Sequence, residues 1–119
     1  MNGKDLGIWG ERVAAEYFQR TGWRILECNF RAGRQEIDLI VRRGRTLAFV
    51  EVKTRRDERF GHPFSAIVEQ KRQAIQNVAQ AWIARFGERG LRYRFDVISI
   101  IRRGMSGFRM QHLEDAWGL

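Results

Sequence analysis

Hydrophobic and polar positions alternate along this chain with two periods, and the changes of period mark its elements. Over residues 6–20, Trp9, Val13 and Tyr17, with Ala14 and Phe18, fall on one side at helical spacing. This predicts an amphipathic helix, with Asp5 as N-cap and Gly22 as its stop. Residues 23–30 are aromatic and aliphatic enough for a strand, although Glu27 and Asn29 interrupt them. A turn at residues 31–34 contains Gly33. Residues 36–42 then alternate: Ile37, Leu39 and Val41 toward one face, Glu36, Asp38 and Ile40 toward the other. Arg43-Gly44-Arg45 suits a hairpin turn. Residues 46–53 predict a third strand, with Leu47, Phe49, Glu51 and Lys53 on one face and Ala48, Val50 and Val52 on the other.

The second half repeats the change of period. Residues 54–62 are charged and contain glycine, which predicts a loop. Pro63, the one proline, suits the first turn of a helix running to about Phe86. Its buried stripe would be Ile75, Val78, Trp82 and Phe86, with Gly87 as terminator. Residues 92–101 predict a fourth strand, 104–107 a turn, and 108–113 a shorter edge strand. The order αβββαββ predicts an α/β fold: a mixed central sheet covered by helices. With neither repeats nor a linker-like stretch, residues 1–119 read as a single domain.

Composition agrees with one real core, since 44% of residues are hydrophobic and 12% aromatic. The lone Cys28 has no internal disulfide partner and reads as a small apolar strand residue in a reducing compartment. No apolar run reaches membrane-spanning length, and residues 1–10 carry no signal-peptide core, so the expected location is cytoplasmic. Charge changes the picture more. Lys and Arg total 22 against 14 Asp and Glu, a net +8. Most of the cations are arginine, whose planar donor fork suits phosphate. A polyanionic partner, most simply nucleic acid, is the direct implication. A solvated basic surface is the plainer alternative.

The candidate chemistry lies in Asp38 and in Glu51-Val52-Lys53, ionisable groups set into strongly apolar strands. Glu51 and Lys53 project from the same face, and pairing through the turn at Gly44 would bring Asp38 near them. Two carboxylates and an ammonium on one patch suit phosphodiester hydrolysis. Asp38 and Glu51, with the Val52 carbonyl, would supply oxygen ligands to Mg²⁺ or Mn²⁺. Lys53 would orient water or stabilise developing negative charge. Glu11, on the first helix, joins as a ligand or water-positioning group if that helix packs over the sheet. The alternative is a surface ion pair between Glu51 and Lys53, with Asp38 solvated at an edge.

Asp38 followed by Glu51-Val52-Lys53 resembles the PD-(D/E)XK nuclease motif. Over nearly its full length the chain resembles the YraN-type family of small bacterial predicted endonucleases, itself similar to archaeal Holliday-junction resolvases. The resemblance runs through Gly10-Glu11, Ala14-Ala15, Gly22-Trp23, Ile25-Leu26, Asn29, Glu36 to Ile40, Phe49 to Lys53, Phe60-Gly61, Lys71 and Phe95-Asp96-Val97. It implies a restriction-endonuclease-like fold, with active-site positions at Glu11, Asp38, Glu51 and Lys53. Similarity to resolvases further implies DNA, branched DNA among it, and a homodimer. Two departures stand out. Ile37 occupies the motif's proline position, and Gln35 stands where the family's turn has glycine.

Other residues complete the expectations. Arg55, Arg56 and Arg59 follow the third strand and are placed to grip a phosphate backbone. Phe60 reads as an anchor for that loop. Lys71 can reach a substrate phosphate or stand as an exposed helical lysine. Glu36, on the Asp38 face, reads either as a third acidic ligand or, in preference, as a strand-end carboxylate paired with an arginine, and Asp96 as a structural hydrogen-bonding residue. Trp9, Trp23 and Trp82 fit the core. His62 and His112 have no partner at metal-ligand spacing. Three functions remain open: a metal-dependent endonuclease, a non-catalytic nucleic-acid-binding module on the same fold, and an interaction protein docking its basic face on an acidic partner.

Overall fold

The structure, a computed structural model, describes residues 1–56, 69–105 and 107–117. Helix α1 (Gly3–Arg20) precedes strands β1 (Arg24–Ala32), β2 (Gln35–Arg43) and β3 (Thr46–Arg55). Helix α2 (Glu69–Phe86) leads to β4 (Arg92–Arg103) and β5 (Gly107–Trp117). The five strands form one sheet in sequence order. Only β3 and β4 pair in parallel; the other three pairs are antiparallel. A parallel pair needs a crossover, and α2 lies between its two strands in the chain. The αβββαββ order and mixed sheet are consistent with a restriction-endonuclease-like fold.

Each helix covers one face of the sheet. Ala14 and Phe18 of α1 pack with Trp23, Leu39, Val41, Ala48, Val50, Ile98 and Ile100. Ile75, Val78, Ala79 and Trp82 of α2 pack with Ile37, Ile40, Leu47, Phe49 and Phe95 on the opposite face. The buried line of α1 is Leu6, Gly10, Ala14 and Phe18, with Trp9, Val13 and Tyr17 half-buried beside it. This corrects the expected stripe by one position. The cause is Gly10, which lets the helix approach β3 so closely that a Cβ there would lie 1.9 Å from Thr54 Oγ1.

Several expected boundaries shift for identifiable reasons. Asn2, not Asp5, caps α1: its side chain accepts the Asp5 N–H at 2.8 Å. Strand β1 continues through Arg31 and Ala32, and the turn shrinks to Gly33 and Arg34. Thr54 and Arg55 extend β3 rather than opening a loop, because they pair with Ile100 and Ile101. Phe86 is 44% exposed rather than part of the α2 stripe, although Gly87 follows the helix end as expected. Strand β5 is an edge strand but not a short one. Its chain irregularity at Asp115 (φ 52°) lets pairing resume at Trp117, which stacks on Phe95 at 5.0 Å. Cys28 lies in β1 but is exposed. The expected helix start at Pro63, together with Arg59, Phe60 and His62, lies outside the described residues.

One departure from alternation shapes the site. Leu39 packs on the α1 face, yet Ile37, two residues earlier, packs on the α2 face with Ile40. Their partners on β1 are Cys28 and Phe30. Both strands therefore change face at the same level, where Asn29 and Asp38 stand. Asn29 takes φ 53°, a left-handed conformation that asparagine tolerates better than most side chains.

Candidate functional site

Asp38 sits where β2 leaves β3. Main-chain pairing of these strands runs from Arg43↔Thr46 to Leu39↔Val50. Just past it, Asp38 Oδ2 accepts the Val52 N–H at 2.7 Å. A side-chain carboxylate thus satisfies a donor beyond the end of the main-chain ladder. The face change at Asp38 and its reach across to β3 belong to one local geometry.

Glu51 is the buried member, only 6% exposed. Its Oε1 lies 3.2 Å from Lys53 Nζ and 2.9 Å from Lys71 Nζ. Lys53 comes from the same face of β3, and Lys71 descends from the start of α2. A buried carboxylate requires such partners, because desolvation of an unpaired charge costs several kcal/mol, on the order of 3–5. Across the sheet end, Glu11 of α1 accepts a hydrogen bond from Asn29 Nδ2 at 2.6 Å. The left-handed asparagine therefore joins α1 to β1 at the level of Asp38.

The electrostatics are uneven. Burial, then the Glu51 carboxylate, push Asp38 up to about 7, with smaller contributions from Glu11 and Glu36. The Val52 N–H opposes them without prevailing. Burial also lowers Lys53, assisted by its contact with Lys71, while Glu51 resists. Lys71 moves the other way: burial lowers it, but hydrogen bonds to Lys53 and Glu51 and the nearby carboxylates outweigh that. Of two lysines sharing one oxygen, Lys71 keeps its proton more firmly and Lys53 yields it more readily.

The expected residues are thus partly brought together. Asp38, Glu51, Val52 and Lys53 converge, and Glu11 reaches their neighbourhood through Asn29. Lys71 is not an exposed helical lysine: it is bonded to the buried carboxylate. The sequence alone hides this, since helix phase at its N-terminal end does not say which strand lies beneath. Arg55 ends β3, and Arg56 donates through Nη2 to the Met1 carbonyl on the α1 side. Glu36 pairs with Arg31 at 3.1 Å, as read from the sequence.

Two oxygen-donor side chains and a neighbouring main-chain carbonyl suit a hard cation with few protein ligands, such as Mg²⁺, which retains several waters. Among the described residues, no group of three or more His, Cys, Asp and Glu side chains is placed to hold a metal. Burial and then the Glu51 carboxylate raise Asp38 to about 7, and the repulsive part of that shift is what a divalent cation relieves.

A second polar cluster escaped sequence reading. Tyr17 of α1 is hydrogen-bonded to His112 Nδ1 at 2.7 Å, and His112 Nε2 to Asp96 Oδ2 at 2.7 Å. Asp96 is fully buried; it also pairs with Arg94 at 3.0 Å and accepts the Asp115 N–H at 3.0 Å. These groups come from α1, β4 and β5, so no local spacing announces them. Asp96 is the structural residue expected, now with named partners.

No helix among the described residues is long and apolar enough to cross a membrane. A family model described as "Uncharacterised protein family UPF0102" matches residues 10–100. The chain is 41% identical over 116 residues to a UPF0102 protein of Geobacter sulfurreducens, covering 98% of this chain and 91% of that one. It is 44% identical over 98 residues to a UPF0102 protein of Alkaliphilus metalliredigens, covering 82% and 86%. The matched span holds Glu11, Asp38, Glu51, Lys53 and Lys71 together, and the chain belongs to the UPF0102 family.

Proposed function

We propose that the protein is a metal-dependent endonuclease that hydrolyses phosphodiester bonds in nucleic acid, DNA above all, through a PD-(D/E)XK site. The observation that carries this reading is the convergence of Asp38, Glu51 and Lys53 at the point where β2 parts from β3. A buried carboxylate with two lysines, beside a second carboxylate that resists ionisation, is a costly arrangement for a protein surface. Perturbed groups concentrated in this way are a mark of functional sites.

Asp38 and Glu51 would hold the cation, with the Val52 carbonyl as a further oxygen. Bound there, Mg²⁺ or Mn²⁺ supplies Lewis acidity at the phosphate and acidifies water. Lys53, with its lowered proton affinity, is placed to position the attacking water and to exchange a proton with it. Lys71 keeps its charge and anchors Glu51, which frees Lys53 for that work. Glu11, fixed by Asn29, supplies a further acceptor on the α1 side. The net +8 charge favours a polyanionic substrate, and Arg55 ends the site strand, with Arg56 and Arg59 following it in the chain. Preference for branched DNA, action as a homodimer and a cytoplasmic location follow from the resolvase resemblance and the reading of the sequence.

The test is cleavage of a labelled four-way junction, a linear duplex and a single strand with Mg²⁺, Mn²⁺ or EDTA, beside Asp38→Ala and Lys53→Ala. Metal-dependent cleavage lost in both variants, with binding retained, supports the nuclease. Equal binding by all three proteins without cleavage supports a non-catalytic nucleic-acid-binding module instead.

A further inference from the structure

At the other end of β3 from its hairpin, the chain builds a cleft that the acidic site does not use. It has a volume of about 290 Å³ and is lined by Met1, Leu6, Arg56, Arg102 and Gly104. Arg102 is held rigidly. Its Nε donates to Gly104 O at 3.2 Å, Nη2 to Met105 O at 3.3 Å, and Nη1 approaches Met1 Sδ at 2.9 Å. Arg56 donates to Met1 O. All four of these acceptors are neutral, so among the described residues neither guanidinium charge is cancelled by them. N–H donors also remain on both Nη atoms of Arg102, since a guanidinium carries two on each.

Aromatic surface adjoins the charge. The Arg102 guanidinium lies over the Trp9 ring at 5.5 Å, and Phe108, its cross-strand partner on β5, meets Trp9 edge-on at 5.6 Å. Phe108 is 44% exposed and Met105, in the adjoining turn, 95% exposed. Fixed cations beside an exposed ring are what an unpaired nucleotide strand requires: phosphates take the arginines and a base stacks on Phe108, which Trp9 backs. Arg56 is three residues beyond Lys53, roughly 10 Å along an extended chain. The cleft, on the α1 side, therefore lies within the span of a nucleotide or two from the strand that carries the proposed nuclease site.

The geometry points to a single-strand-binding subsite at Arg56, Arg102, Trp9 and Phe108, which receives an unpaired segment of the nucleic-acid substrate. This rests on the nuclease reading for the identity of the polyanion. The two are separable, because binding in EDTA reads the subsite and cleavage in Mg²⁺ reads the chemistry.

The experiment is fluorescence anisotropy in EDTA with labelled oligothymidylate and a blunt duplex, using wild type, Arg56→Gln, Arg102→Gln, Phe108→Leu and, as control, Arg89→Gln in the α2–β4 connection, each checked for an unchanged melting temperature. The expected result is weaker single-strand binding, by about 5-fold or more, in Phe108→Leu and both subsite arginine variants, with Arg89→Gln unaffected. Each subsite arginine variant should also reduce the slope of log K against log salt by about 0.7. Single-strand binding that is absent, or unchanged in the folded subsite variants, overturns the subsite. So does equal weakening of duplex binding by Phe108→Leu, or binding to phosphatidylglycerol vesicles in place of oligonucleotide. Dependence on Arg102 and Phe108 without cleavage in Mg²⁺ keeps the subsite and refutes the nuclease.

Discussion

Asp38 accepts the Val52 N–H at 2.7 Å just where the main-chain pairing of their strands stops. The side chain does there what a carbonyl does elsewhere in the sheet. An amide oxygen can accept the same bond, so Asp38→Asn preserves it while removing the charge. The Asp38 carboxyl is raised from its ordinary value to about 7 by burial and by Glu51. Between the unfolded and folded values the native state holds a proton that the unfolded chain has lost. This group's contribution to stability therefore falls as pH rises through that window. In EDTA, Asp38→Asn should be more stable than wild type at pH 8, by on the order of 2 kcal/mol, with the difference vanishing near pH 4. Urea unfolding at the two pH values checks this; a variant less stable at pH 8 would contradict the assignment.

Lys71 shares Glu51 Oε1 with Lys53. Lys71→Met leaves one cation to serve the buried carboxylate, and Lys53 must then hold Glu51 as well as act on water. Cleavage should slow about 10- to 100-fold, the usual cost of losing a residue that orients another. Lys71→Arg should restore part of the rate by restoring the charge. Lys53→Arg should not, because a guanidinium does not give up its proton. Single-turnover rates across pH distinguish these outcomes.

Asp96 titrates in the opposite sense to Asp38. Burial raises it, but the hydrogen bonds from His112, the Asp115 N–H and Arg94 prevail and hold it below the usual carboxylate range. A depressed carboxylate contributes stability above its unfolded value and loses it as pH falls through the folded one. Asp96→Asn should cost about 2 kcal/mol at pH 7, and the gap should narrow as pH falls below the ordinary carboxylate range. Urea midpoints for both proteins from pH 2 to 7 measure it, and a constant gap would show that packing, not charge, is lost.

The close crossing of α1 over β3 depends on the missing Cβ of Gly10. An alanine there would put its Cβ 1.9 Å from Thr54 Oγ1 and 2.9 Å from Thr54 Cβ. Gly10→Ala should therefore destabilise by about 1–3 kcal/mol, as overpacking does. Adding Thr54→Gly removes those contact atoms and should recover part of the loss. Thermal melts of the single and double variants check the coupling.

Period and punctuation were enough to read the element order and the paired carboxylates. Alternation in β2 and β3, with a glycine turn between them, already placed Asp38 beside Glu51. What alternation cannot foresee is its own failure. The face change at Asn29 and Asp38 depends on one left-handed residue, and it moved Ile37 to the α2 face. The bond of Lys71 to Glu51 is hidden for a different reason: it depends on which strand lies under the start of α2. The Tyr17–His112–Asp96 network joins three elements distant in sequence, and only packing assembles it.

The most direct measurement is the single-turnover cleavage of a labelled four-way junction by wild type, Asp38→Asn and Glu51→Gln, over a Mg²⁺ titration that begins in EDTA. Cleavage by wild type should saturate with Mg²⁺ and be absent in EDTA. Both variants should lose at least about 100-fold, while junction binding in EDTA is unchanged. Metal-independent cleavage, or variants that cleave like wild type, would contradict the assignment of Asp38 and Glu51 as the residues that hold the metal.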